Sequence, residues 1–314
     1  MVIRTALRGC ALLLAALVLA GCGGAGVPES ALPPITASMQ DVKDSTKATT
    51  ATTTTTTSAT PTCPAPGTDF DCDLRQRIQK AQEYVGTRPG ATGIVLRDRQ
   101  TGQVWRNDKA GALVWTASTI KLAMTVNLFL RDRAGQISLT ADDRNLIQRM
   151  LNSSDDKAAD SLWFKYAGAD HMAFNNAFPG YGMASIQPQK GFSNFYPYWG
   201  FQKCTPDDLD ALINYVLTKL PADLRDYIVG QLRAVAPDQQ WGVWAAGPAG
   251  QPGNKDGWSL EQGGWVMNTV GFIGPDARYT LAVMNSLQGQ GGYDEGQATD
   301  NQVAKILFDG RFTG

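Results

Sequence analysis

Three short stretches carry residues that could do covalent chemistry together. Ser118-Thr119-Ile120-Lys121 places an ammonium one helical turn along from a hydroxyl, on the same face. A lysine taken out of water gives up its proton more readily and can then act as a base toward that hydroxyl. A serine at the start of a helix also lies at the positive end of the dipole, where backbone N–H groups can stabilise a developing oxyanion. Ser154-Asp155-Asp156-Lys157 repeats the spacing, but Lys157 stands among acids that hold its charge, which leaves Ser118 the better nucleophile. Lys255-Asp256-Gly257 supplies another cation followed by a glycine. The single histidine, His171, offers a different scheme, a Ser/His/Asp triad with Asp155 or Asp170 orienting the ring; a lone histidine on a helix is more often structural.

Composition narrows the choice. Among 314 residues, 28 Lys and Arg balance 29 Asp and Glu, for a net charge of -1. No basic block could neutralise a row of phosphates, which argues against nucleic acid as a partner. One histidine and five cysteines cannot build zinc or copper clusters, so neither a metal nor a cofactor is expected.

The elements that must position these residues follow from periodicity. Leu74, Ile78 and Ala81 predict a first helix ending between Gly86 and Gly90, and Thr92 to Arg97 with Val104 to Asn107 predict a hairpin. Ser118 to Ala134 is apolar on more than one face and stops at Gly135, as a buried helix does. Thr140 caps a helix to Leu151, and Asp155 to Trp163 follows. Past an irregular stretch, 176 to 204, come helices over Pro206 to Leu220 and Asp223 to Ala234. Strands Gly264 to Ile273 and Tyr279 to Asn285 and a last helix, Gln297 to Phe308, complete the chain. The order predicts an α+β fold, a mixed sheet assembled from both chain ends around an inserted helical lobe.

Ahead of that unit, Arg4 and Arg8 precede the apolar run Ala11 to Ala20, too short to span a bilayer, then Leu19-Ala20-Gly21-Cys22. The last four residues resemble the bacterial lipobox, which implies a lipoprotein signal over 1–21 and a lipid-bearing Cys22. An ordinary secretory signal with an incidental cysteine is the alternative. Residues 22–66, Thr- and Pro-rich with the run Thr52 to Thr57, read as a tether, which leaves 67–314 as one domain. In an oxidising exterior, Cys63, Cys72 and Cys204 allow one bridge. Cys63–Cys72 is favoured, and a pairing of either with Cys204 is the alternative.

Together these motifs resemble the serine β-lactamase and penicillin-binding-protein superfamily, class A type, over about 72–308. Ser118 to Lys121 looks like its S-x-x-K, Ser154-Asp155-Asp156 like its S-D-N, and Lys255-Asp256-Gly257 like its K-[ST]-G strand. The Ser-Ser-Asp-Asp stretch also resembles cell-wall-associated lipoproteins of mycobacteria and relatives. The resemblance implies a β-lactamase/transpeptidase-like fold with an antiparallel sheet flanked by helices. It also implies Ser118 as the acylated residue, Lys121 as base or relay, Ser154 as proton donor to the leaving group, and Lys255 as positive charge beside it. Asp156, Asp256 and Gly257 fall where that family contacts substrate.

Three departures bear on activity. Asp156, if ionised, only accepts hydrogen bonds where the family's Asn donates. Asp256, in place of a hydroxyl, would repel a substrate carboxylate. No Glu occurs between Glu83 and Glu261, so the loop 176–204 lacks the glutamate that activates deacylating water in class A enzymes, and Asp170 is the only acid shortly before it. The expectation is a monomeric serine acyl hydrolase or acyltransferase on the outer face of the cell membrane. It would be poor on penicillins and act on a cell-wall peptide, ester or glycan; the alternative is a non-catalytic binding or sensing module on the same fold. Tyr196, Tyr198 and Trp199 could stack on wall sugars or pack over a core, while Trp105, Trp115, Trp163 and Trp258 read as core packing.

Overall fold

The computed structural model describes residues 70–191 and 194–312. The proposed signal, Cys22, the tether and Cys63 lie outside them. Cys72 is disulfide-bonded, whereas Cys204 is a free, fully buried thiol, which removes the Cys204 alternative.

Chain order explains the layering. Helix α1 (Cys72–Gly86) is capped by the Asp71 side chain and leads into strands β1 (Ala91–Asp98) and β2 (Val104–Arg106). Strand β3 (Val114–Trp115) precedes a 3-10 turn, Ala117–Thr119, and helix α2 (Ile120–Arg133). Helices α3 (Ala141–Asn152) and α4 (Asp156–Tyr166) follow, then short strands β4 (Gln187–Pro188) and β5 (Gln202–Cys204), then α5 (Pro206–Thr218) and α6 (Ala222–Arg233). Strands β6 (Gly253–Glu261), β7 (Gly264–Ile273) and β8 (Tyr279–Ser286) precede the last helix, α7 (Tyr293–Phe308). The expected helix at 297 starts four residues earlier, directly after Gly291-Gly292.

The main sheet runs β2-β1-β8-β7-β6, each pair antiparallel, so the first and last strands of the chain are neighbours and β6 forms an edge. Because side chains alternate along a strand, the sheet feeds two cores. Ile94, Leu96, Leu281 and Val283 meet Leu74 and Ile78 of α1 and Val303 and Leu307 of α7. Val95, Val270, Ala282 and Met284 face the helical lobe, where every residue of α2 from Ile120 to Phe129 is buried. Each such aliphatic chain taken from water contributes roughly 1.5–3 kcal/mol.

Helix α3 has the predicted Thr140 cap, closed by a reciprocal capping box with Asp143. Asp143 also accepts from Lys165 at 2.8 Å and from the Tyr166 hydroxyl at 2.7 Å, tying α3 to α4. Those contacts hold its carboxyl well below the usual carboxylate range despite burial. The tie joins the start of α3 to the end of α4 and so closes the helix pair at the end opposite its connecting loop, 153–155.

Candidate active site

Ser118 lies in the 3-10 turn, one step before α2 begins, and is half-buried. Ala117 before it has φ 44°, and Ser154 has φ 57°. Left-handed backbone costs an L-residue roughly 1–2 kcal/mol, and here it marks both serine motifs. Asn268 of β7 holds the turn by donating its amide to the carbonyls of Trp115 at 2.8 Å and Thr116 at 3.2 Å. Gly257, register partner of Asn268, comes so close that a Cβ on it would lie 2.6 Å from the Ser118 nitrogen and 2.7 Å from that of Thr119. The backbone of the serine turn therefore packs directly against the edge strand, with the Thr119 N–H donated inside the turn to the Thr116 carbonyl.

Lys121 is fully buried on α2. Its ammonium donates to the Ser154 carbonyl at 2.6 Å, the Ser154 hydroxyl at 3.4 Å and Asp156 Oδ1 at 2.5 Å. These contacts use the three hydrogens an ammonium has, all on the segment 154–156. Trp199 covers the group, its ring centre 4.6 Å from Nζ. Burial lowers the Lys121 pKa, and the Asp156, Asp155 and Asp160 carboxylates oppose that shift. Lys255, also buried, donates to the Ser154 hydroxyl at 2.9 Å and to the Asp256 carbonyl at 2.8 Å. Burial, reinforced by the charge of Lys121, lowers it to about 7. Ser154 is thus the common acceptor of two lysines, and Gly257, two positions along β6 from Lys255, adjoins the Ser118 backbone.

Two sequence expectations are corrected. Lys255 pairs with Val270 and Asp256 with Thr269, and those neighbours face opposite cores. Lys255 and Gly257 consequently face the lobe, while the Asp256 side chain is turned toward the α7 layer, where Asp300 is also buried. Burial pushes the Asp256 carboxyl up to about 8. Its side chain lies on the face of β6 away from the lobe, so it does not line the site beside Lys255. His171 is not on a helix: it occupies a turn with φ 60°, stacked on Phe195 at 3.7 Å. Asp155 caps α4 and pairs with Arg149, and Asp170 accepts from the Met172 N–H, so neither orients the imidazole.

Asp156 keeps its expected place at the site but touches a lysine instead of awaiting substrate, its side chain 71% exposed. In the loop, Tyr198 and Trp199 both donate to Asp160 Oδ1, at 2.5 and 2.8 Å, and Trp199 is buried, so these two pack over the site; Tyr196 is exposed. Asn268 and Asp160 were missed. A polar pair, Asn268-Thr269, inside an otherwise apolar strand was the available signal for the first; nothing local marks Asp160.

The fold is that of the class A β-lactamases. A reconstructed ancestral class A β-lactamase superposes with a TM-score of 0.60 at 18% identity, covering 74% of this chain and 98% of its own. A β-lactamase from Xanthomonas campestris gives 0.61 at 18%, covering 77% and 97%. In sequence, the chain is similar to "Putative lipoprotein LppW" of Mycobacterium tuberculosis and Mycobacterium bovis, 27% identical over 260 residues, 79% of each chain. No protein-family model matches. Among the described residues no helix is long and apolar enough to cross a membrane.

Proposed function

We propose that this is a cell-envelope lipoprotein, held at the outer face of the cell membrane by a lipid on Cys22, whose single domain forms an acyl-ester on Ser118. The observation that carries the reading is the buried Lys121–Ser154–Lys255 chain beside a serine turn whose backbone packs on the edge strand. In the reaction the Ser118 Oγ–acyl bond forms as the bond to the leaving group breaks. Neutral Lys121 takes the Ser118 proton, Ser154 passes its own to the leaving group, and a lysine restores it. A carboxylate in place of the expected Asn, and no glutamate in the covering loop, favour slow turnover on non-penicillin esters, amides or peptides of the wall. Cys63–Cys72 would close the tether onto the domain, and the domain would act as a monomer.

Intact-mass measurement after incubation with fluorophosphonate, a β-lactam panel and activated esters tests this. An adduct that maps to Ser118 and disappears in Ser118→Ala is expected; no adduct after prolonged exposure rejects acyl chemistry. A non-catalytic sensing module is the second reading, favoured by one observation: all three hydrogens of Lys121 are spent on residues 154–156. It requires Ser118→Ala to bind and function as the native chain does.

A further inference from the structure

We infer that Asp156 selects substrates bearing a cationic group, and that such a group releases Lys121 for catalysis. The inference rests on the acyl-ester reading of Ser118 and adds its substrate class. Lys121 is inaccessible, while its partner Asp156 is 71% exposed and has only Oδ1 on the lysine, at 2.5 Å. One carboxylate oxygen thus remains at the surface, directly over the buried base. Other nearby acids are already committed: Asp155 to Arg149 and the Ala158 N–H, Asp160 to Tyr198 and Trp199, and Asp256 lies on the far face of β6.

With Asp156 on it, Lys121 has all three of its ammonium hydrogens directed at residues 154–156. A substrate carboxylate placed here would meet the exposed carboxylate; a substrate ammonium would pair with it and weaken its hold on Lys121. Lys121 then loses a proton to water. The neutral amine accepts the Ser118 proton as the Oγ–acyl bond forms, and the proton returns through Ser154, 3.4 Å away, to the leaving group. An amide donor at position 156 would hold Lys121 less firmly, and an uncharged or cationic substrate would then serve equally.

The test uses activated esters of one acyl chain carrying an ammonium, a neutral isostere or a carboxylate, with acylation followed by mass. The native protein should favour the ammonium ester by about tenfold over the neutral one and reject the carboxylate. Asp156→Asn should erase that order and speed acylation by the neutral ester. In parallel, calorimetry with the matching non-reactive amides on Ser118→Ala reads selection without chemistry. Acylation of Ser118 with no charge preference, or a preference that survives Asp156→Asn, overturns the inference and leaves the acyl reading intact. Selective binding to Ser118→Ala without acylation of the native chain overturns the acyl reading, and with it the release of Lys121, but keeps charge selection by Asp156; absence of both overturns both.

Discussion

Gly257 of the edge strand leaves no space for a side chain against the Ser118 backbone nitrogen: a Cβ would sit 2.6 Å from it. The atoms in the way, the Ser118 and Thr119 nitrogens, are backbone, so no side chain can swing aside to make room. Gly257→Ala should therefore push the serine turn off β6 and slow acylation by roughly 10²–10³-fold, the effect of losing an oxyanion donor. Far-UV circular dichroism should be unchanged; native acylation rates in this variant would reject the role.

Asp256 makes stability pH-dependent. Its carboxyl titrates near 8 when folded and near 3.8 when unfolded. Between those values the folded chain holds a proton that the unfolded chain has lost, so this group's contribution declines as pH rises from about 4 to 8. Lys255 acts in the opposite sense above about 7, where the folded amine is neutral and the unfolded one still charged. Asp256→Asn should flatten the decline below pH 7 in a melting-temperature series. An unchanged slope would mean that Asp256 is ionised in the fold.

Asp143 ties α3 to α4 through the capping box, Lys165 and Tyr166. Asp143→Ala should cost roughly 1–3 kcal/mol in urea unfolding, more than Asp142→Ala on the exposed face. Because its carboxyl is held below the ordinary value, its stabilising effect should fade as pH drops below 4. Equal losses for the two variants would reject the tie.

Cys204 is buried, and burial raises its thiol well above the ordinary value. A thiol reagent at pH 8 should leave it unmodified in the native protein and label it fully in guanidinium. Native labelling at Cys204 would contradict its packing beside Met284.

Much of this was legible in the sequence wherever the signal is local. The burial of α2 shows in its all-round apolar face, and the α3 cap in Thr140 followed three positions later by an acid. The S-x-x-K spacing needed only a helical turn. What stayed hidden depends on tertiary placement. Asp156 was read as a substrate contact because its sequence position says nothing about which way Lys121 will reach. The orientation of Asp256 was implied by strand alternation once Lys255 faced the lobe, but only the pairing with β7 fixes which face that is. Asp160 acquires its role from a loop 38 positions away.

The neighbouring of β1 and β8 also sets an order of assembly. Thr92 and Asn285 hydrogen-bond across 193 positions. A chain emerging N-terminus first presents β1 long before its partner exists, and Lys255 arrives only with β6, after the whole helical lobe. The serine turn is thus made early and stays without its edge strand until about the final fifth of the chain appears. Non-local closure of this kind makes folding slow, and it means that a chain stalled before β6 carries Ser118, Lys121 and Ser154 but lacks Lys255 and the strand against which the serine turn packs.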